Sequence, residues 1–400
     1  MSERVTVGTD IEFIRHLKAH GGSTMKKCFQ CASCSVACEL SPKEYAFPRK
    51  EMIQAAWGLK DKLMGDPDIW LCHGCMDCSQ QCPRGARPAD LMSALRSYVY
   101  RNFAVPKFMG KALSEPKSLP YLILFAAGMI LTLVIATNAI MFNFDMDFFA
   151  VRDGVLKFDS FINKLSIQAL FIPGNFLIFY LAGRGFWNYW KAMENHSEDE
   201  TIMSFPMAAF KVMTDFFLHK KFDRCPTNSN RFYGHIYTFY GFMGTMIATG
   251  IVVIAEMYEI GVHLDIKFLQ AITFPLPYPM PMDHWVKILG MVSGVFLTIG
   301  LTMLMIKRYK TDKKDGISTY NDWLFLGIIF SVGFTGMLSV FGRMVDVAAV
   351  AYIIYFVHLT SVFMLLWYMP FSKFAHMPYR FLGLVFLKTR GREHKPEVFK

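Results

Sequence analysis

Cys28-Phe29-Gln30-Cys31-Ala32-Ser33-Cys34-Ser35-Val36-Ala37-Cys38 and Cys72-His73-Gly74-Cys75-Met76-Asp77-Cys78-Ser79-Gln80-Gln81-Cys82-Pro83 repeat one spacing, C-x2-C-x2-C-x3-C. It is the ligand pattern of a pair of 4Fe–4S clusters. The tight spacing lets three thiolates grip one face of a cubane from a single loop. In the paired pattern the fourth cysteine of each run ligates the other cluster. Cys28, Cys31, Cys34 and Cys82 then hold the first cluster, and Cys72, Cys75, Cys78 and Cys38 the second. Two structural zinc sites are the competing reading, but zinc asks for two Cys-x2-Cys pairs across a longer gap, not three cysteines in register and a fourth behind them. Eight of the nine cysteines lie in these runs. The ninth, in Arg224-Cys225-Pro226, reads as a free thiol with no assigned role.

Around the runs the chain is polar and charged to about residue 118; beyond it, most apolar residues fall in long stretches. Charged residues make up only 18% of the chain, against about 25% in soluble proteins. A soluble module followed by an integral membrane module explains this division. The net charge of +10 does not indicate nucleic acid, because the basic residues gather between and after the apolar runs: Lys307 to Lys314 in one loop, Lys388 to Lys395 at the tail. Met1–Lys27 has no apolar core of a signal peptide, and clustered cysteines belong in a reducing compartment, so the cysteine module is expected in the cytoplasm.

Short helices are expected near Asp10–His20, with Asp10 as N-cap and Gly21–Gly22 as the stop, then over Arg49–Leu63 and Pro88–Phe103. Six stretches reach the roughly 20 apolar residues that a membrane span needs: Leu119–Ile140, Leu165–Trp190, His235–Met257, Trp285–Ile306, Trp323–Val340 and Val347–Tyr368. The loops after the second and fourth carry the Lys and Arg excess, including Lys211, Lys220, Lys221, Arg224 and Arg231. The opposite loops carry Asp145, Asp147, Asp265 and Asp283. This asymmetry puts both termini in the cytoplasm of a multi-pass protein of a bacterial or archaeal cytoplasmic membrane, in contact with lipid. The expected fold is mainly α: a small α-helical ferredoxin-type two-cluster domain fused to a six-span transmembrane helical bundle with haem b. Its parts are residues 1–115 (iron–sulfur), 116–230 (two spans and a loop), 231–385 (four spans with haem b) and 386–400 (basic tail).

Histidine poses the chemical question in the membrane half, since ionisable groups inside spans are costly and usually functional. His358 and His376 are separated by about five helical turns, roughly 27 Å, and so would share a face, subject to Pro370 between them. Two imidazoles near opposite leaflets suit two stacked b-type haems. His235 begins the third span, level with His376; His284 begins the fourth, on the His358 side. A lone histidine at a span end is more often interfacial than a ligand, but His358 lies well inside its apolar run. His196, His219 and His263 read as surface residues.

Lys27–Pro83 resembles the C subunits of heterodisulfide reductases, on Lys27-Cys28-Phe29-Gln30-Cys31-Ala32-Ser33-Cys34 and Trp70-Leu71-Cys72-His73-Gly74-Cys75-Met76-Asp77-Cys78. His235–Leu384 resembles the haem b subunit of respiratory nitrate reductase and the membrane E subunit of heterodisulfide reductase, on Ser293-Gly294-Val295, Lys307-Arg308, His358-Leu359 and Pro370-Phe371-Ser372-Lys373-Phe374-Ala375-His376. Their fusion is similar to the membrane C subunit of quinone-interacting membrane-bound oxidoreductases of sulfate reducers; the first two spans fall outside the resemblance. It implies an inner haem held by His235 and His376, and an outer one held by His358. The partner expected ten residues beyond His235 is Thr245 here, beside Met246. The outer haem then uses His284, uses Met246 or Met243, is five-coordinate, or is absent, so two haems are expected and one at minimum. His284 is also a candidate proton acceptor for quinol, with Lys287 one turn along.

The resemblance implies that menaquinol is the substrate. Electrons would pass through haem b and both clusters to soluble flavin- and iron–sulfur-containing partner subunits, and beyond them to adenylylsulfate reductase. Alternatives are a heterodisulfide-reductase-like complex with another acceptor or the reverse, quinone-reducing direction, and a non-redox membrane protein with structural metal sites. A transporter would show repeated halves or paired broken helices, which this sequence lacks. It also lacks a Gly-rich nucleotide fingerprint, so flavin is not expected on this chain.

Overall fold

The computed structural model describes residues 8–42, 45–141, 156, 158–218, 229–277, 280–310, 316–345 and 347–392. Lys220, Lys221, Arg224, Cys225, Asp145, Asp147, Lys313, Lys314 and Lys395 lie outside them. Among the described residues the chain is helical, with no strand.

The N-terminal module is built from short helices. Helix α1 (Ile11–Leu17) starts at Asp10, whose carboxylate accepts from the Phe13 backbone N–H at 2.9 Å, and the chain turns out of it at Gly21, φ 115°. α2 (Ser33–Val36) is the single turn inside the first cysteine run. The helix expected over Arg49–Leu63 is two helices, α3 (Arg49–Ala56) and α4 (Lys60–Met64), because Gly58 takes a left-handed conformation at φ 72°. α5 (Asp77–Gln80) is the turn inside the second run, and α6 (Pro88–Phe103) has the expected bounds. Phe13, Leu17, Met52, Trp70, Leu91 and Leu95 form its core.

α7 (Lys107–Ser114) leads into α8 (Leu119–Met141) and α9 (Lys164–His196). α10 (Phe205–Phe217) is amphipathic and was not expected from the sequence. Next come α11 (Ser229–His263), the short α12 (Lys267–Ile272), α13 (Trp285–Lys310), α14 (Tyr320–Val345), α15 (Ala348–Tyr368) and α16 (His376–Thr389). Among the described residues, six helices are long and apolar enough to cross a membrane: Pro116–Ile140, Lys164–His196, Phe232–His263, Trp285–Lys310, Tyr320–Met344 and Ala348–Phe371. They run past the expected bounds by up to several residues, since polar end residues continue the helix beyond its apolar stretch.

One expectation is corrected. His358 and His376 do not share a continuous helix: α15 ends at Tyr368, two tight turns follow over Met369–Phe371 and Lys373–Ala375, and α16 starts at His376. Proline lacks the N–H that would continue the ladder, so Pro370 breaks the register on which the same-face argument stood.

The cysteine module is docked on one end of the bundle. The Trp70 indole N–H donates to the Tyr189 hydroxyl at 2.6 Å, and Trp70 stacks on Tyr379 of α16. The Ile317 backbone N–H donates to Asp90 at 3.2 Å, and the Asn321 amide to Ser97 at 2.8 Å. Gly65 lies against Ala192 and His196, at the C-terminal end of α9.

Candidate functional site

The two cysteine loops have the same backbone. Gln30 and Gly74, each two residues past the first cysteine, have φ 61° and 66°; Ala32 and Met76, two further on, have φ 67° and 75°. A one-turn helix follows each. The Gln30 N–H points at Cys28 Sγ at 3.4 Å, and the Gly74 N–H at Cys72 Sγ at 3.3 Å. Holding non-glycine residues in the left-handed region costs about 1–3 kcal/mol each. Gln30, Ala32 and Met76 take on that strain in loops whose N–H groups converge on sulfur.

Cys38 comes from the first run in sequence but lines a cavity of about 290 Å³ with Cys72, Cys75 and Cys78. Burial pushes the Cys38 thiol up to about 12, with Cys72 and Cys75 adding to the shift. Cys78 is pushed up by burial, then by Cys72, Cys38 and Cys75. Cys34 is raised by burial and then by Cys28, whereas the exposed Cys31 is lowered by its hydrogen bonds with Ser33. Thiols crowded in this way ionise together only when cations arrive, which cluster iron supplies. Among the described residues the cysteines are free of disulfides.

A second cavity, also about 290 Å³, lies where the module meets the bundle. His235 and His376 line it, and its opposite wall carries His73, Gly74 and Met76 of the second cysteine loop. His376 Nδ1 lies 2.8 Å from the Lys373 carbonyl, which makes it the protonated nitrogen and leaves Nε2 as the lone-pair donor. A metal-ligating imidazole commonly has this outer partner. Lys307, Arg308, Lys373 and Arg380 rim the cavity; Arg308 and Lys373 both pair with the buried Asp322, which also lines it, and Arg380 Nη2 stands 3.2 Å from His73 Nε2. Two imidazoles with a cationic rim form a donor set that fits a b-type haem and its propionates. Met76, His73 and Arg380 were not singled out in the sequence, because only the docked module brings them to the histidines.

His358 lies elsewhere. Its Nδ1 is 3.1 Å from the Thr335 hydroxyl, which itself donates to the Ser331 carbonyl at 2.5 Å. The hydroxyl therefore accepts from His358 Nδ1–H, and Nε2 is again the lone-pair nitrogen. Gly336 packs on the ring: a Cβ there would meet Cε1 at 3.1 Å. His358 lines a third cavity, of about 320 Å³, with Lys287, Glu256 and Glu259. His284 is not among its walls; it sits at the start of α13 with its ring stacked on Trp285. Met246 is exposed, and neither it nor Met243 or Thr245 lines this cavity, whereas Met280 and Met282 do. The two acidic residues were missed, though their signal was present: carboxylates spaced i, i+3 within an apolar span.

Residues 24–86 match the 4Fe-4S dicluster domain family. The chain is 34% identical over 88 residues to the C subunit of the H(2):CoB-CoM heterodisulfide,ferredoxin reductase of Methanothermobacter marburgensis, covering 22% of this chain and 48% of that protein. It is 29% identical over 106 residues to a protein of Archaeoglobus profundus described as like the heterodisulfide reductase C subunit, 26% of this chain and 56% of the relative. Against the C subunit of the Ferredoxin/F(420)H(2)-dependent CoB-CoM heterodisulfide reductase of Methanosarcina acetivorans the identity is 30% over 90 residues, 22% and 55% of the two chains. The chain spans about half the length of these curated relatives. No solved structure matches it.

Proposed function

We propose that this chain, with a 4Fe–4S dicluster domain at its N-terminus and six helices able to span a membrane, is the electron-transfer subunit linking a quinol pool to soluble redox partners. One observation carries the reading: His235 and His376 share a cavity with the second cysteine loop. A haem b held there supplies one-electron transfer next to a cluster. The protein's own part is to fix both imidazoles, balance the propionates with Lys307, Arg308, Lys373 and Arg380, and hold the cluster loop against the cavity through the His73–Arg380 contact.

Menaquinol is the proposed donor at the other end of the bundle, near His358 and Lys287. The first-run cluster, beside the exposed Cys31, Phe29 and Val36, is the proposed exit toward flavin- and iron–sulfur-containing partner subunits. Adenylylsulfate reductase is the terminal acceptor that the sequence resemblance implies. Two of the relatives, from Methanothermobacter marburgensis and Methanosarcina acetivorans, belong to enzymes that join ferredoxin to a heterodisulfide, which favours a second reading with a different acceptor or the opposite direction.

A reduced-minus-oxidised spectrum of membranes holding the complex tests the haem; without a haem b band the quinol reading collapses. His376→Ala is expected to remove the inner haem while both clusters stay EPR-visible. A full haem content in that variant refutes the ligand assignment.

A further inference from the structure

The third cavity lies at the end of the bundle remote from the cysteine module. It takes Lys164 from the start of α9, Lys287 from the start of α13 and Arg343 from the end of α14, whereas the module docks at the end of α9 and on the α13–α14 connection. Within it, Glu256 accepts from the Gln168 amide at 2.9 Å through Oε2. Glu259, one turn further along α11 and 41% exposed, pairs with Lys164 at 3.4 Å.

We propose that Glu256 is the primary proton acceptor for a quinol head group seated in this cavity, and that Glu259 relays each proton to the adjacent aqueous face. The proposal rests on the quinol reading above. Oxidation of one quinol breaks two O–H bonds. The two protons go one after the other to the Glu256 carboxylate, the first handed on to Glu259 before the second is taken up, and the two electrons would leave one at a time to a ferric b-type haem reoxidised between them, giving the quinone.

The other groups in the cavity are poorer acceptors. Lys287 and Arg343 are cations, and the Tyr355 phenol already carries its proton; Asp159 lies on the Tyr355 side. His358 has Nδ1 committed to Thr335, which leaves Nε2 as the nitrogen that would hold a haem iron. Glu259, paired with Lys164 and exposed to solvent, suits the hand-off to water rather than the first transfer. Among the described residues, Glu256 alone combines a carboxylate, a neutral amide partner and a place on the cavity wall within an apolar span, where an ionisable side chain is costly to keep without a task.

Membranes carrying the intact complex are mixed with menadiol in a stopped-flow instrument, and haem b reduction is followed, with dithionite defining total haem. Glu256→Gln is expected to slow reduction by menadiol tenfold or more while leaving haem content and the dithionite-reduced spectrum unchanged. Glu256→Asp, which keeps the carboxylate, restores much of the rate with a shifted pH profile. A wild-type rate in Glu256→Gln overturns the proposal and spares the quinol reading. If wild-type haem is reduced by dithionite but not by menadiol, the quinol reading falls and the proposal with it. Should the Gln variant lose haem, the Asp variant decides: a wild-type rate and pH profile overturn the assignment.

Discussion

Lys50 is surrounded by three buried carboxylates, with Glu51 at 3.4 Å, Asp66 at 2.8 Å and Asp68 at 2.7 Å, and Arg392 adds a second cation 2.8 Å from Asp68. The buried acids outnumber the two bases beside them, and Arg392 is shared with Asp199 at 3.5 Å, so negative charge is in excess where the carboxylates are shielded from solvent. Glu51 is fully buried, and its carboxyl is pushed well above its ordinary value of 4.5 by burial, then by Asp66, against the pull of Lys50. The folded protein thus holds a proton there that the unfolded chain releases. For a raised acid, the contribution to stability is whole below about 4.5 and erodes as pH climbs toward the folded value. Glu51→Gln keeps the shape of the protonated carboxyl and removes that slope. Its apparent Tm in detergent should exceed the wild type's at pH 8 by roughly 2–4 °C for each kcal/mol recovered, and converge with it near pH 4. Parallel Tm-versus-pH curves for the two proteins would count against a protonated Glu51. None of this was legible in the sequence, where these residues are only part of a helix expected over Arg49–Leu63. Asp66, Asp68 and Arg392 meet it only after the C-terminal segment returns to the module.

Helices α11 and α13 pack closely along their length, and glycines set the distance. A Cβ at Gly300 would stand 2.5 Å from the Thr238 backbone nitrogen, one at Gly241 would strike the Leu297 backbone, and one at Gly244 would strike Ser293. Small residues at such crossings let helix backbones approach where lipid offers no hydrophobic drive. Gly241→Ala meets backbone, which cannot rotate away, so it should cost about 1–3 kcal/mol and reduce the content of the haem proposed at His235, on the same helix. Gly250→Ala has open space around the added methyl and should leave both stability and haem content at wild-type levels. Equal haem content in the two variants, measured by pyridine haemochrome, would argue that the crossing does not shape the site. Spans of this kind are readable from hydropathy because length and apolarity are local properties. The spacing of His358 and His376 was not, because one proline resets the register. The Glu256 cavity was hidden for a related reason: its walls come from α9, α11, α13, α14 and α15, and no single stretch carries its pattern.

At the scale of the whole molecule, docking gives the two clusters unequal positions. The spacing of the cysteines disclosed the cluster type, and it implies an exchange of fourth ligands, but it does not say which cluster faces the membrane. The second loop, with His73, Gly74 and Met76, lines the His235–His376 cavity, while Cys31 of the first run is exposed and does not line it. Electrons from the bundle should therefore reach the cluster of Cys72, Cys75, Cys78 and Cys38 first and the first-run cluster second. Cys38 separates the hypotheses cleanly, because it belongs to the first run by sequence but lines one cavity with Cys72, Cys75 and Cys78 of the second. Cys38→Ala should abolish the membrane-proximal cluster and, with it, reduction of the remaining cluster by menadiol, although dithionite still reduces it. Cys31→Ala should do the reverse: the distal cluster is lost, and menadiol still reduces the proximal one. EPR of each variant, poised with either reductant, reads both results directly. If menadiol reduces the surviving cluster equally well in the two variants, the serial order is wrong. If Cys38→Ala instead removes the cluster of Cys28, Cys31 and Cys34, the exchange of ligands between the runs is wrong as well.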